Sequence, residues 1–122
     1  MGACRTEAGD HKTVTQKNIL FIMYDQLRFD YLSCAGHKTL HTPNFDRVAA
    51  RGVRFTNAYV QSPVCGASRM STYTGRYVAS HGAGWNKFPI RVGEVTLGDH
   101  LRQNGMSCWL LGKTHMQADE KG

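Results

Sequence analysis

A continuous apolar run, Asn18-Ile19-Leu20-Phe21-Ile22-Met23-Tyr24, stops abruptly at Asp25. It has the length of a strand and lacks the alternation of a strand with one wet face. It therefore reads as a strand buried on both sides, as in a parallel sheet covered by helices. Such a sheet needs crossover helices, and the chain offers them in order. Thr42-Pro43 predicts a helix start, with Thr as N-cap, Pro at the first helical position, and Phe45, Val48 and Ala49 at helical spacing before Gly52. Residues 53–60 alternate weakly and predict a short strand, broken by Ser62-Pro63. A second helix is expected from Cys65 to Tyr77, with Met70, Tyr73 and Thr74 facing inward, followed by a loop over 78–94. Thr96-Leu97-Gly98-Asp99 has the form of a capping box, Asn104-Gly105 closes that helix, and residues 106–111 read as a further buried strand. Strand, helix, strand, helix, helix, strand is an α/β order.

With 122 residues the chain can build one domain at most. No run approaches the roughly 20 apolar residues of a membrane helix, so no membrane role is expected. Residues 1–17 are polar and read as a flexible leader without the apolar stretch of an export signal, which makes the cytoplasm the expected location. Fifteen Lys and Arg against nine Asp and Glu give a net charge of +6. These cations are scattered, with no basic cluster or aromatic stripe, so nucleic acid is not expected as a partner and a small anion suits better. The four cysteines, at 4, 34, 65 and 108, form no C-x-x-C and read as free thiols.

In open α/β sheets ligands gather beyond the carboxyl ends of the strands, which here carry Asp25-Gln26 and Gly112-Lys113-Thr114-His115. Asp25 and Gln26 offer oxygens to a divalent metal, or Asp25 caps a turn. Cys65 heads a predicted helix whose dipole, with Arg69 one turn on, favours an anion, the electropositive setting in which reactive cysteines sit; a buried structural cysteine is the alternative. Ser68 and Ser71 read as helix-surface hydroxyls, with rival nucleophiles as the alternative. In an extended chain Lys113 and His115 project to the same side, where a point charge and an imidazole suit an oxyanion and a leaving group, or line a solvated loop. His37, His41, His81 and His100 show no zinc spacing and read as surface or structural residues.

Together these pieces resemble the amino-terminal part of the sulfatase family, within the alkaline-phosphatase-like superfamily. The resemblance runs from Asn18 to His115 through Asn18–Asp25, Thr42–Ala49, Gly52–Tyr59, Ser62–Arg69, Thr74-Gly75-Arg76-Tyr77 and Gly112–His115. It implies the amino-terminal portion of a three-layer α/β/α fold with a mostly parallel sheet, over residues 18–122. Cys65 and Arg69 stand in the family's C-x-P/A-x-R motif, with Ala67 between them. The implied activity is sulfuric ester hydrolysis of a small-molecule sulfate ester. Cys65 would be oxidised to formylglycine by a formylglycine-generating enzyme, giving an aldehyde hydrate as nucleophile.

By the same resemblance Arg69 stabilises that hydrate, and Asp25, Gln26 and the modified Cys65 bind a divalent metal, calcium first with magnesium or manganese as alternatives. Lys113 and His115 match the sulfate-binding pair. The Asp25-Gln26 pair is similar to the choline-sulfatase and phosphonate-monoester-hydrolase branches, and Asn86 matches a substrate-contacting Asn of the latter. Lys113 and His115 stand where the phosphonate branch has Tyr and Thr, which favours sulfate esters. Members run to several hundred residues, so the resemblance implies a truncated protein, weakly active or inactive alone. The alternatives are a noncatalytic anion- or metal-binding remnant, or a phosphonate or phosphate ester hydrolase of the same superfamily.

Overall fold

The computed structural model describes residues 18–116. The leader expected at 1–17 lies outside the described residues. Regular structure among them is helical: single 3-10 turns at Phe29–Tyr31 and Ser33–Ala35, then α1 (Pro43–Arg51), α2 (Cys65–Thr74), α3 (Val78–His81) and α4 (Leu97–Gln103).

The helix ends follow local chemistry. Pro43 opens α1, but the Thr42 hydroxyl does not cap it. Instead Ser33 clasps the entry from nine residues upstream. Its hydroxyl accepts from the Thr42 N–H at 2.9 Å and donates to Asp46 Oδ2 at 2.7 Å, while the Ser33 N–H donates to Thr42 Oγ1 at 2.9 Å. Asp46 then lies in the first turn, where a negative charge suits the helix dipole. The apolar residues at helical spacing are only partly packed: Phe45 meets Tyr24 at 5.3 Å between ring centres, while Val48 is exposed. The capping box of α4 forms as predicted, the Asp99 N–H donating to Thr96 Oγ1 and the Thr96 N–H to Asp99 Oδ2, and Asn104 ends the helix.

Helix α2 has the weakest local case for its existence, being rich in Gly, Ser and Thr. Burial holds it. Ala67, Met70 and Ala83 are the buried apolar residues among those described, joined by the polar Arg69, Ser71 and His81. The core therefore lies where α2 packs on α3, and α4 also touches α2. Two expectations change here. The segment read as a loop over 78–94 begins with α3, a single helical turn ended by Gly82 at φ 78°. Ser71, expected on the surface, is buried against His81.

The larger correction concerns the sheet. None of the three predicted strands is formed among the described residues, and Leu20, Tyr59 and Leu111 are 84%, 85% and 88% exposed. A two-face-buried strand is stabilised by a ladder on both edges and a helix on each face, and nothing within the described residues supplies either to these runs. No described helix is long and apolar enough to cross a membrane.

Candidate active site

Cys65 occupies the first helical position of α2, half-buried. No side chain of the preceding turn caps this end, since Val64 is the N-cap residue. The cap comes from 20 residues downstream: Asn86 Oδ1 accepts from the Gly66 N–H at 2.8 Å and from Cys65 Sγ at 3.3 Å. Gly66 is what lets Asn86 come so close. A Cβ there would lie 2.7 Å from Asn86 Oδ1, 3.1 Å from its Cα and 3.2 Å from the Trp85 carbonyl oxygen. Two of those neighbours are backbone atoms that have little room to give.

Gly66→Ala therefore sets a gain against a loss. Alanine is a better helix former by about 1 kcal/mol, but forcing Asn86 away costs its two hydrogen bonds and adds overpacking of about 1–3 kcal/mol. The loss wins. The expected outcome is a lower denaturation midpoint and altered NMR resonances at Asn86; a stabilised variant with unmoved Asn86 resonances would contradict this geometry.

One turn further, Arg69 is buried and reaches across to two other segments. Its Nη1 donates to the Lys113 carbonyl at 2.7 Å and its Nη2 to Asp25 Oδ1 at 3.2 Å. Lys113 Nζ donates to the other oxygen, Asp25 Oδ2, at 2.6 Å. His115 comes from the same segment and sets its Nε2 3.9 Å from Cys65 Sγ. Residues 25, 65, 69, 86, 113 and 115, picked out from separate parts of the sequence, thus meet in one place. Gln26 sits at the edge of this cluster, exposed and tied to it by no hydrogen bond.

The arrangement also departs from expectation. Lys113 and His115 do not share the side of an extended segment. His115 has φ 56°, which turns its ring to Cys65 while Lys113 faces Asp25. The non-glycine residues with positive φ among those described are Gln26, Lys87 and His115. Each is a site residue or follows one, and left-handed backbone at such side chains costs about 1–3 kcal/mol and gathers where function constrains the chain.

Electrostatics tie the cluster together. The hydrogen bond from Lys113, and next that from Arg69, hold the Asp25 carboxyl below its ordinary 3.8, against the opposing effect of burial. The folded chain then binds that proton less tightly than the unfolded one. The resulting stability is complete above pH 3.8 and drains away as pH falls through the folded value. Acid unfolding followed by circular dichroism should show this loss, and Asp25→Asn should flatten the curve in that window.

A divalent metal was expected on Asp25, Gln26 and Cys65. Asp25 has a cation on each oxygen, and no group of three or more His, Cys, Asp and Glu side chains gathers among the described residues. A hard cation takes about six or more oxygen ligands. The described residues do not by themselves fit one.

His81 was missed as anything more than structural. Its ring is fully buried, with Nε2 2.8 Å from Ser71 Oγ and Nδ1 accepting from the Ala83 N–H at 3.1 Å. A lone histidine before a glycine gives no periodic signal by which to place it.

A family model described as Sulfatase matches residues 17–122. The steryl-sulfatase of Homo sapiens is 36% identical over 121 residues, covering 90% of this chain and 21% of that protein. An N-acetylglucosamine-6-O-sulfatase of Bacteroides thetaiotaomicron is 32% identical over 116 residues, covering 94% of this chain and 21% of that protein. An arylsulfatase of Clostridium perfringens is 37% identical over 106 residues, covering 81% and 21%. The chain thus spans about a fifth of the length of these curated relatives. Such membership implies an α/β fold of the alkaline-phosphatase-like kind, of which the described residues supply helices and no strand. Matched over nearly its whole length, the chain belongs to the sulfatase family.

Proposed function

We propose that this chain carries the nucleophile-bearing part of a sulfuric ester hydrolase acting on small-molecule sulfate esters. One observation supports it most: Cys65, in the family's motif position, stands at the first turn of α2 with Asn86, Arg69, Asp25, Lys113 and His115 gathered around that turn. Formylglycine made from Cys65 by a formylglycine-generating enzyme would supply the hydrated aldehyde that attacks sulfur. The α2 N-terminus and the cationic groups favour the sulfate charge next to it. Lys113 Nζ balances negative charge, on Asp25 in the absence of ester. His115 Nε2, close to the reacting side chain, is placed to hold a proton for the departing alcohol oxygen. Arg69 fixes both Asp25 and the Lys113 backbone. A divalent metal, calcium first with magnesium or manganese as alternatives, belongs to this reading through the family alone, and no step here depends on it.

The test is peptide mass spectrometry of Cys65 in protein from a host that has the oxidising enzyme, paired with hydrolysis of an aryl sulfate against the matching phosphate. Conversion of the thiol to the aldehyde together with a sulfate preference supports the proposal. An intact thiol with no hydrolysis returns a noncatalytic anion-binding protein, and a phosphate or phosphonate preference returns the sister activity of the superfamily.

A further inference from the structure

The segment from His81 to Asn86 touches α2 at both of its ends. At the lower end the buried His81 ring meets Ser71, on the second turn; at the upper end Asn86 caps Gly66 and meets Cys65, on the first. Between them the chain turns tightly, with Gly82 at φ 78°, the Ala83 N–H donating to His81 Nδ1, and the Gly84 N–H donating to the Gly82 carbonyl at 3.0 Å. The hydrogen bonds fix the state of the ring. Nδ1 accepts from a backbone N–H, so it carries no proton, and Nε2 bears the hydrogen donated to Ser71 Oγ.

We infer that His81 is a positioning residue, whose neutral ring, anchored on Ser71, sets the turn that delivers Asn86 to Gly66 and Cys65. A proton added at Nδ1 would face the Ala83 N–H as donor against donor, and the turn would have to open. Asn86 would then lose its placement over the first turn of α2 without any change at Cys65 itself. This consequence for hydrolysis rests on the function proposed above, but the hydrogen bonds at the two ends of the segment, His81 with Ser71 and Asn86 with Gly66, are present whether or not the chain hydrolyses anything.

The surroundings favour the neutral ring. Burial pushes His81 below its ordinary 6.5, Glu94 works against that shift, and Arg76 works with it. Glu94 is nearly buried and paired with Arg76. The Arg91 guanidinium lies over Gly82, 3.5 Å from where a Cβ would stand. A positive charge on the ring would thus join two arginines with one carboxylate already engaged. The sign follows: the unfolded chain takes up the proton first as pH falls below 6.5, so folding and the Asn86 contact weaken together toward the lower folded value.

The experiment is amide hydrogen exchange by NMR on the full chain, read at Gly66, whose N–H is held by Asn86, with the capped Asp99 amide of α4 as the control for general folding. His81→Leu should lower Gly66 protection at least about tenfold while Asp99 stays protected. His81→Asn keeps an acceptor at the δ position for the Ala83 N–H and should restore most of the Gly66 protection. It should also remove the loss of protection expected of the unmodified chain as pH falls below 6.5. Retained Gly66 protection in His81→Leu would overturn the inference. So would an Asn variant that protects Ala83 but not Gly66, or an acid dependence that survives in that variant. A failure of sulfate hydrolysis with these exchange results intact would count against the proposed function and leave the positioning role standing.

Discussion

On the function proposed above, Cys65→Ala is expected to lower sulfate-ester hydrolysis at least about a thousandfold, the scale on which removing a covalent nucleophile acts. The loss should be chemical rather than structural. Position 65 is the first residue of α2, alanine is the strongest helix former, and the Gly66 N–H to Asn86 bond that caps the helix does not pass through the thiol. The cost to folding is the weak Sγ contact with Asn86 and the long one with His115. Stability should therefore stay within about 1 kcal/mol of the parent while turnover disappears. Cys65→Ser separates two roles of the side chain. It keeps a hydrogen-bond donor toward Asn86 but offers a hydroxyl where a thiol is to be oxidised, so it should fold as the parent does and hydrolyse no better than the alanine variant. Initial rates with an aryl sulfate, measured beside denaturation midpoints, decide the matter. A serine variant retaining a tenth of the parental rate would remove the modified cysteine from the reaction.

The second large effect is on the fold itself. Arg69→Ala should destabilise the chain by about 3 kcal/mol, combining lost charge-assisted hydrogen bonds with the packing of a long buried side chain. The side chain is 7% exposed and joins three separate stretches of sequence: α2, the Lys113 carbonyl and the Asp25 carboxylate. Removing it leaves Asp25 with Lys113 alone and the carbonyl of Lys113 without its donor. Arg69→Lys should recover only about half of the loss, because an ammonium is a point charge and cannot reproduce the planar fork that reaches carbonyl and carboxylate together. Urea unfolding at constant m-value checks both numbers. An Arg69→Lys variant as stable as the parent would mean that charge, not the fork, is what matters at this position.

The sequence was most informative where structure depends on neighbours a few residues apart. Thr96 and Asp99 specify their own capping box, Pro43 marks the start of α1, and Asn104 with Gly105 marks the end of α4. The residues of the site were legible for another reason: Cys65, Arg69, Asp25, Asn86, Lys113 and His115 are chemically conspicuous and match family motifs, and the structure brings them together. What each one touches was not legible. That Arg69 aims at Asp25 and at a backbone carbonyl, that Asn86 serves as a helix cap from 20 residues away, and that His115 adopts a left-handed backbone are outcomes of packing. Gln26, Lys87 and His115 are not the glycines by which such conformations are ordinarily foreseen. The strands are absent among the described residues for the same physical reason: an apolar run states that it would be buried on two faces, but the ladder that buries it belongs to other segments.

The spacing of the site along the chain sets an order of events in time. The helices close over contacts a few residues apart, whereas Asp25 meets Arg69 across 44 positions and Lys113 across 88, and Cys65 meets His115 across 50. Contacts so distant are slow to form, because the intervening loop must be closed first. At a synthesis rate of about 5–20 residues per second, His115 is made roughly 3–10 s after Cys65. For that interval the thiol stands without its imidazole neighbour and Asp25 without Lys113, so the assembled cluster is a late product of the chain's own synthesis.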